Sequence, residues 1–298
     1  MSKNLKIGVI GGDKRIVETV KKLCSKDFCV SVWGIDPEYI DSALIKDSCE
    51  DTVTGADVVI LPIPPSEDEV RVNCPLFSQE SGVKIHKLLD MLHENTLLLG
   101  GRISPRLKDL AAKRNLKCID YFNTEELLIK NAVPTAEGAI GIAVNKMPKT
   151  IFNSKIAIVG FGRIGEALAL RLKALGANIT VFARKGISIA QAEGKGMSGV
   201  KIVYENSVST LNKLAMNFDL IYNTVPYWLI TEDIIKLLPK STLIVDLASA
   251  PGGVDLIAAK KYGTNVIHAL ALPSKTAPIS AGEYISESII NIITEEIL

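Results

Sequence analysis

The sequence predicts an α/β protein of two doubly wound parallel-sheet domains separated by a cleft. Three observations point there. Short apolar strands and helical patterns alternate along almost the whole chain, the mark of parallel sheets. At 298 residues the chain has room for two domains of ordinary size. Residues 155–165 read Lys-Ile-Ala-Ile-Val-Gly-Phe-Gly-Arg-Ile-Gly, an apolar strand running straight into a Gly-x-Gly-x-x-Gly turn.

The first half opens with a strand at 5–10, then Gly11-Gly12-Asp13 and a helix to about Leu23. Strands follow at 30–35, 57–62, 96–99 and 116–120, completing a first domain over residues 1–133. Its opening turn lacks the third glycine of a dinucleotide fingerprint, and Asp13 would face an incoming phosphate. A structural turn or a substrate-side loop is therefore expected there. A helix over 135–147, begun near Pro134 and ended by Pro148, carries Gly138, Ala139, Gly141 and Ala143, small enough to admit another backbone. The second domain, residues 134–279, has strands at 155–159, 177–182, 219–223, 242–246 and 265–270. Residues 280–298 read as an amphipathic helix, with Ile285, Ile289, Ile292, Ile293 and Ile297 on the apolar face. It is expected to pack back on the first domain.

The glycine turn has the right setting on both sides. A helical pattern (Ile164, Leu168, Leu172, Leu175) follows it, Gly176 closes the helix, and a second apolar strand comes next. That is a complete, Rossmann-like βαβ unit of about thirty residues. Gly160 permits the tight turn, Gly162 lets the backbone approach a pyrophosphate, and Gly165 lets helix and strand pack closely. Arg163 and Ile164 begin the helix, whose free N–H groups point at the phosphates. A turn with no ligand is the weaker reading in this context.

An NAD-binding unit places Asp or Glu about twenty residues on, to hold the ribose hydroxyls. Here Ala183, Arg184 and Lys185 stand at that strand end. A guanidinium binds the 2′-phosphate that a carboxylate would repel, so the expected cofactor is NADP(H). The alternative is a pair of solvated cations.

Ligands of open parallel sheets sit beyond the carboxyl ends of the strands. Asn223, Thr224, Val225 and Pro226 are expected on the nicotinamide-ribose side. Ala248 and Ser249 lead into Pro251-Gly252-Gly253, whose backbone N–H groups are expected to reach an anion. Leu272 and Pro273 complete that edge. In the first domain, Pro62-Ile63-Pro64-Pro65 and the loop 100–104 end two strands, and Arg102 is the expected carboxylate receptor. Each loop alone is equally well read as turn chemistry; their gathering at one sheet edge favours a ligand.

Bulk properties exclude other classes. A net charge of +1 argues against a nucleic-acid partner. No apolar run of membrane-spanning length and no signal peptide are read from the sequence. Cys24, Cys29, Cys49, Cys74 and Cys118 are odd in number and lack C-x-x-C spacing, which suits a reduced cytoplasmic protein with mostly buried thiols. His86, His93 and His268 lack metal-ligand spacing, so no metal is expected. His268 reads as a packed residue inside a strand. No nucleophile–base constellation stands out, and no catalytic acid or base is assigned; hydride chemistry resides in the cofactor.

Several stretches together resemble one family, the A-subunit of dipicolinate synthase. They are Ile10-Gly11-Gly12-Asp13, Asn131-Ala132-Val133-Pro134-Thr135-Ala136-Glu137-Gly138, the fingerprint followed by Ala183-Arg184, and Asp246-Leu247-Ala248-Ser249-x-Pro251-Gly252-Gly253. Leu272-Pro273, Ala277-Pro278 and Ala281-Gly282 complete the set, in the same order along essentially the whole chain. The resemblance implies a pyridine-nucleotide-linked oxidation of a dihydrodipicolinate-type ring to pyridine-2,6-dicarboxylate, at a CH–CH bond. It implies the cytoplasm of the mother cell during sporulation and a flavoprotein-like partner, the B-subunit of dipicolinate synthase; self-association is expected besides. A small dicarboxylate would call on Arg102, Thr135, Ser249, Gly252, Gly253 and Lys275. One loop departs from the family, which reads close to Gly-Leu-Pro-Gly where this chain has Ala271-Leu272-Pro273-Ser274. That puts residue roles there in question, with Lys275 as a substitute carboxylate contact. Two other readings stay open: a two-lobed dehydrogenase of another small carboxylate, and a non-catalytic NADP-binding regulatory subunit.

Overall fold

Among the described residues the named strands run parallel to their neighbours, in two sheets of five and six strands. The computed structural model describes residues 5–79, 82–203, 212–215 and 218–297. Two units divide the chain: Met1–Asn131 with Ala277–Leu298, and Ala132–Thr276.

In the first unit the chain runs β1 (Lys6–Ile10), α1 (Lys14–Cys24), β2 (Cys29–Trp33), α2 (Cys49–Val53), β3 (Val58–Ile60), α3 (Ile85–Met91), β4 (Leu97–Gly100), α4 (Pro105–Ala112) and β5 (Cys118–Asp120). The sheet order is β2-β1-β3-β4-β5. Alternation along the strands builds a core on each face. Ile7, Val9, Val58 and Ile60 face one cluster, while Val59 and Leu98 face the other. The first face is covered by α1, through Ile16, Val20 and Leu23, and by the C-terminal helix Pro278–Glu296, through Ile285, Ile289 and Ile293. Each such isoleucine contributes roughly 1.5–3 kcal/mol of burial. The helices touch closely: a Cβ on Gly282 would lie 2.6 Å from the Arg15 carbonyl oxygen, and Thr19 Oγ1 donates to Gly282 O at 3.1 Å.

The long helix α5 (Glu125–Lys146) starts well before Pro134, not at it. Proline suits a first helical turn, which is why Pro134 reads as a beginning. Here it sits in the helix interior, where it can donate no N–H to the preceding turn. The true start carries Glu125 and Glu126, favoured at the positive helix end, and Thr124 Oγ1 accepts from Leu127 N at 3.4 Å. By length and hydropathy α5 also has the make-up of a membrane span. Its Ala136, Ala139 and Ala143 are instead fully buried in the second unit's core.

The second unit continues through β6 (Lys155–Val159), α6 (Arg163–Ala174), β7 (Asn178–Ala183), α7 (Gly186–Gly194), β8 (Ser198–Lys201), β9 (Leu220–Asn223), α8 (Glu232–Ile235), β10 (Leu243–Asp246), α9 (Leu256–Tyr262), β11 (Asn265–His268) and α10 (Leu272–Thr276). The sheet order is β11-β10-β9-β6-β7-β8, which reverses direction between β6 and β9. Strand β8 has no apolar run to announce it; it is a half-exposed edge strand containing Gly199. Gly138 lets α10 approach α5, since its Cβ would lie 3.2 Å from Leu272 Cβ.

The cysteines correct one expectation. Only Cys49 is buried outright, and Cys29 is exposed. Cys24, Cys74 and Cys118 are half-buried. All five are free thiols, and burial pushes those of Cys49 and Cys74 up to about 12.

Candidate functional site

The turn from β6 to α6 is shaped by its three glycines. Gly160 holds φ +97°, and a Cβ there would lie 2.3 Å from Thr224 Oγ1. A Cβ on Gly165 would lie 2.3 Å from the Gly160 carbonyl oxygen, so the helix sits tight against the strand end. Gly162 is different: a Cβ there would meet nothing within 4 Å. It is the N-cap of the twelve-residue helix α6 and makes no side-chain capping hydrogen bond, and a helix N-terminus of this kind suits an anion.

A groove of about 430 Å³ opens over this turn. Its walls are residues 160–165, the strand-end trio Ala183, Arg184 and Lys185, and the loop Thr224, Val225 and Pro226. Phe182, Ile202 and Leu229 add apolar lining beside the cations. Ser188, half-buried in the first turn of α7, also lines the groove, and sequence reasoning missed it. The available signal was a hydroxyl three residues after Lys185 at the start of a helix. No acidic residue stands in that first turn. The groove thus offers an uncapped helix end for a pyrophosphate and exposed cations where the adenosine ribose of a dinucleotide would lie.

The remaining expected cofactor residues are not in this groove. Asn223 is fully buried; its amide donates to Val225 O at 3.0 Å and to Asp246 Oδ1 at 2.8 Å. Asp246, 1% exposed, also accepts from Ala248 N and from Gly253 N, both at 3.1 Å. This buried carboxylate ties the loop after β9 to the loop after β10. Gly252 N donates to Ser249 O at 2.9 Å. The expectation that the Gly252 and Gly253 amides face an anion is therefore corrected: both are taken up inside the loop. Asn223 is likewise a loop brace, because its side chain is turned away from solvent. Ala248 is buried, with its carbonyl 3.2 Å from His268 Nε2, and Ser249 is exposed. His268 ends β11 and is not a strand-interior residue.

Leu272 and Pro273 are buried in α10, so neither offers a surface to a cofactor. Lys275 is exposed and donates from Nζ to Leu270 O at 3.0 Å. Ala271 holds φ +55°, a left-handed backbone that favours glycine. Thr135 lies within α5 and is 8% exposed.

In the first unit the loop after β4 presents Arg102, also left-handed at φ +57°. Asp120, at the end of β5, accepts from the backbone N–H groups of Arg102, Ile103 and Phe122, each at 2.9 Å, and so fixes the turn. The Arg102 guanidinium lies 5.3 Å from the centre of the Phe122 ring and forms no salt bridge among the described residues. Partial burial, followed by the charge of Arg15, lowers its pKa, and Asp120 opposes the shift. Asp13 does not await a phosphate. It caps α1 and is paired with Arg15.

Comparison with known proteins decides the family. The chain is 30% identical over 99% of its length to the dipicolinate synthase A-subunit of Bacillus subtilis, covering 98% of that protein. The chain belongs to the dipicolinate synthase A-subunit family. Residues 6–122 match the N-terminal domain of this family, and residues 135–252 match the NAD-binding domain of D-isomer-specific 2-hydroxyacid dehydrogenases. The crystal structure of the Bacillus subtilis A-subunit superposes with a TM-score of 0.86 at 29% identity, over 99% of this chain and 97% of that one. That of the Bacillus halodurans A-subunit gives 0.87 at 27% identity, over 98% and 99%. A transhydrogenase from Sinorhizobium meliloti shares the fold at 16% identity, with a TM-score of 0.69 over 98% and 93%. A nicotinamide-dinucleotide-binding, dehydrogenase-type second unit and an oxidoreductase role follow from these relationships.

Proposed function

We propose that the chain is an NADP(H)-linked oxidoreductase subunit that converts a dihydrodipicolinate-type ring to pyridine-2,6-dicarboxylate. The observation that carries the cofactor choice is the pair Arg184 and Lys185, exposed in the groove where an NAD site would hold a carboxylate. The residues fit the dinucleotide: Gly162 leaves open space at the uncapped end of α6, and Phe182, Ile202 and Leu229 offer an apolar wall. The whole-length relationship to the dipicolinate synthase A-subunit supports the substrate class.

In the reaction the ring gives up one hydride and one proton across a CH–CH bond and becomes aromatic. Bound NADP+ supplies the hydride acceptor. The chain's own part is to hold the pyrophosphate end at residues 160–165, to bind the 2′-phosphate with Arg184 and Lys185, and to receive a ring carboxylate at Arg102. Aromatisation supplies driving force, so water can take the proton without a strong base. The naming of the relatives as one component of a synthase supports a complex with a B-subunit. The family supports action in the cytoplasm of a sporulating mother cell, with self-association besides.

A second reading, an NADP-binding subunit without turnover, is favoured by one observation: the polar groups Asn223, Gly252 and Gly253 are bonded within and between the loops after β9 and β10. Mixing the chain with a dihydrodipicolinate-generating enzyme and NADP+ separates the two. Dipicolinate absorbance rising with reduced cofactor supports turnover. Binding without turnover, even with the B-subunit present, would leave the second reading.

A further inference from the structure

A second cluster of cationic side chains lies wholly within the first unit. Its sheet order, β2-β1-β3-β4-β5, reverses direction between β1 and β3, and open sheets of this order bind ligands at that reversal, beyond the carboxyl ends of the strands. The residues gathered there are charged. Arg15, just after β1, has a side chain only 8% exposed. Its Nε donates to Asp13 at 3.0 and 3.1 Å, and its Nη2 donates to Asp13 Oδ2 at 2.8 Å and to Ile63 O at 2.9 Å. A guanidinium has five N–H donors. The two on Nη1 have no partner among the described residues. Ile63 also packs on the neighbouring turn, since a Cβ on Gly101 would lie 2.7 Å from Ile63 Cβ. Arg102 follows Gly101 directly, held in its left-handed conformation by Asp120.

We propose that Arg15 and Arg102 form a carboxylate seat at the β1/β3 reversal of the first unit, one that takes a single carboxylate of a planar dicarboxylate. Resting on the dicarboxylate reading above, it adds Arg15 as a binding residue, with Asp13 positioning the Arg15 guanidinium and Asp120 fixing the backbone turn that carries Arg102. A phosphate is disfavoured. Asp13 already fills the N-terminus of α1, accepting from Arg15 N at 2.9 Å, and two carboxylates offset the two guanidiniums. What remains is directional donors without surplus charge, which suits a monoanionic, planar group.

The test uses the full chain and isothermal titration with pyridine-2,6-dicarboxylate, inorganic phosphate and NADPH. Arg102→Ala and Arg15→Lys should each weaken the dicarboxylate at least tenfold while leaving NADPH affinity unchanged. Phosphate should bind more weakly than the dicarboxylate. Arg102 is exposed, so its variant carries the test even where Arg15→Lys fails to fold. Unchanged dicarboxylate affinity in Arg102→Ala overturns the seat, as does a preference for phosphate. If that variant also turns over normally, the proposed reaction survives without the seat. A wild-type chain that neither binds the dicarboxylate nor forms it loses both.

Discussion

Each unit opens with a glycine-bearing turn from its first strand into a helix, yet the two turns are built for opposite ends. In the first unit Asp13 caps α1 and pairs with Arg15. Gly11 is walled in, since a Cβ there would lie 2.5 Å from Cys74 Sγ and 2.7 Å from Asn73 O. In the second unit Gly162 stands before open space and α6 has no side-chain cap. Glycines alone therefore do not make a phosphate site. What occupies the helix N-terminus decides, and there one turn carries a capping carboxylate and the other a glycine with no side-chain cap.

The comparison breaks most visibly at Gly160. Gly160→Ala puts a methyl 2.3 Å from Thr224 Oγ1 at φ +97°, and should cost roughly 3 kcal/mol in chemical denaturation, with loss of NADPH binding. Asp246→Ala removes the acceptor shared by Asn223, Ala248 and Gly253, at a cost of about 3 kcal/mol. A melt unchanged from wild type would show that these loops do not depend on that carboxylate. Gly162→Asp makes the second turn resemble the first. It should leave stability within about 0.5 kcal/mol and weaken NADPH by about 100-fold, near 2.7 kcal/mol. The reverse change, Asp13→Gly, should create no dinucleotide binding in the first unit, because Asn73 and Cys74 still close the turn. The smallest effect is at Ala271→Gly, which relieves a left-handed alanine and should raise stability by about 0.5 kcal/mol, the relief being partly offset by a more flexible unfolded chain.

The strands and the glycine turn are legible because their code is local: apolar runs, a turn residue, a helical period. Strand β8 escapes because an edge strand needs no apolar run. The start of α5 escapes because Pro134 looks the same at a helix beginning as within one. The misread site residues share one cause. Asn223 and Gly253 look like ligand-facing loop residues, and what turns both inward is Asp246, on a different strand from Asn223 and seven positions before Gly253. Arg15 is the converse case. No local pattern singles it out, and its guanidinium reaches the Ile63 carbonyl, 48 positions away.

The central claim is that the open turn and its neighbouring cations hold NADP(H). Parallel equilibrium titrations of wild-type and Arg184→Asp chains with NADPH and NADH test it most directly. Wild type should prefer NADPH by at least tenfold, about 1.4 kcal/mol, and Arg184→Asp should abolish or invert that preference. Equal affinity of wild type for both nucleotides, unaltered by the substitution, would contradict the assignment of the 2′-phosphate to Arg184.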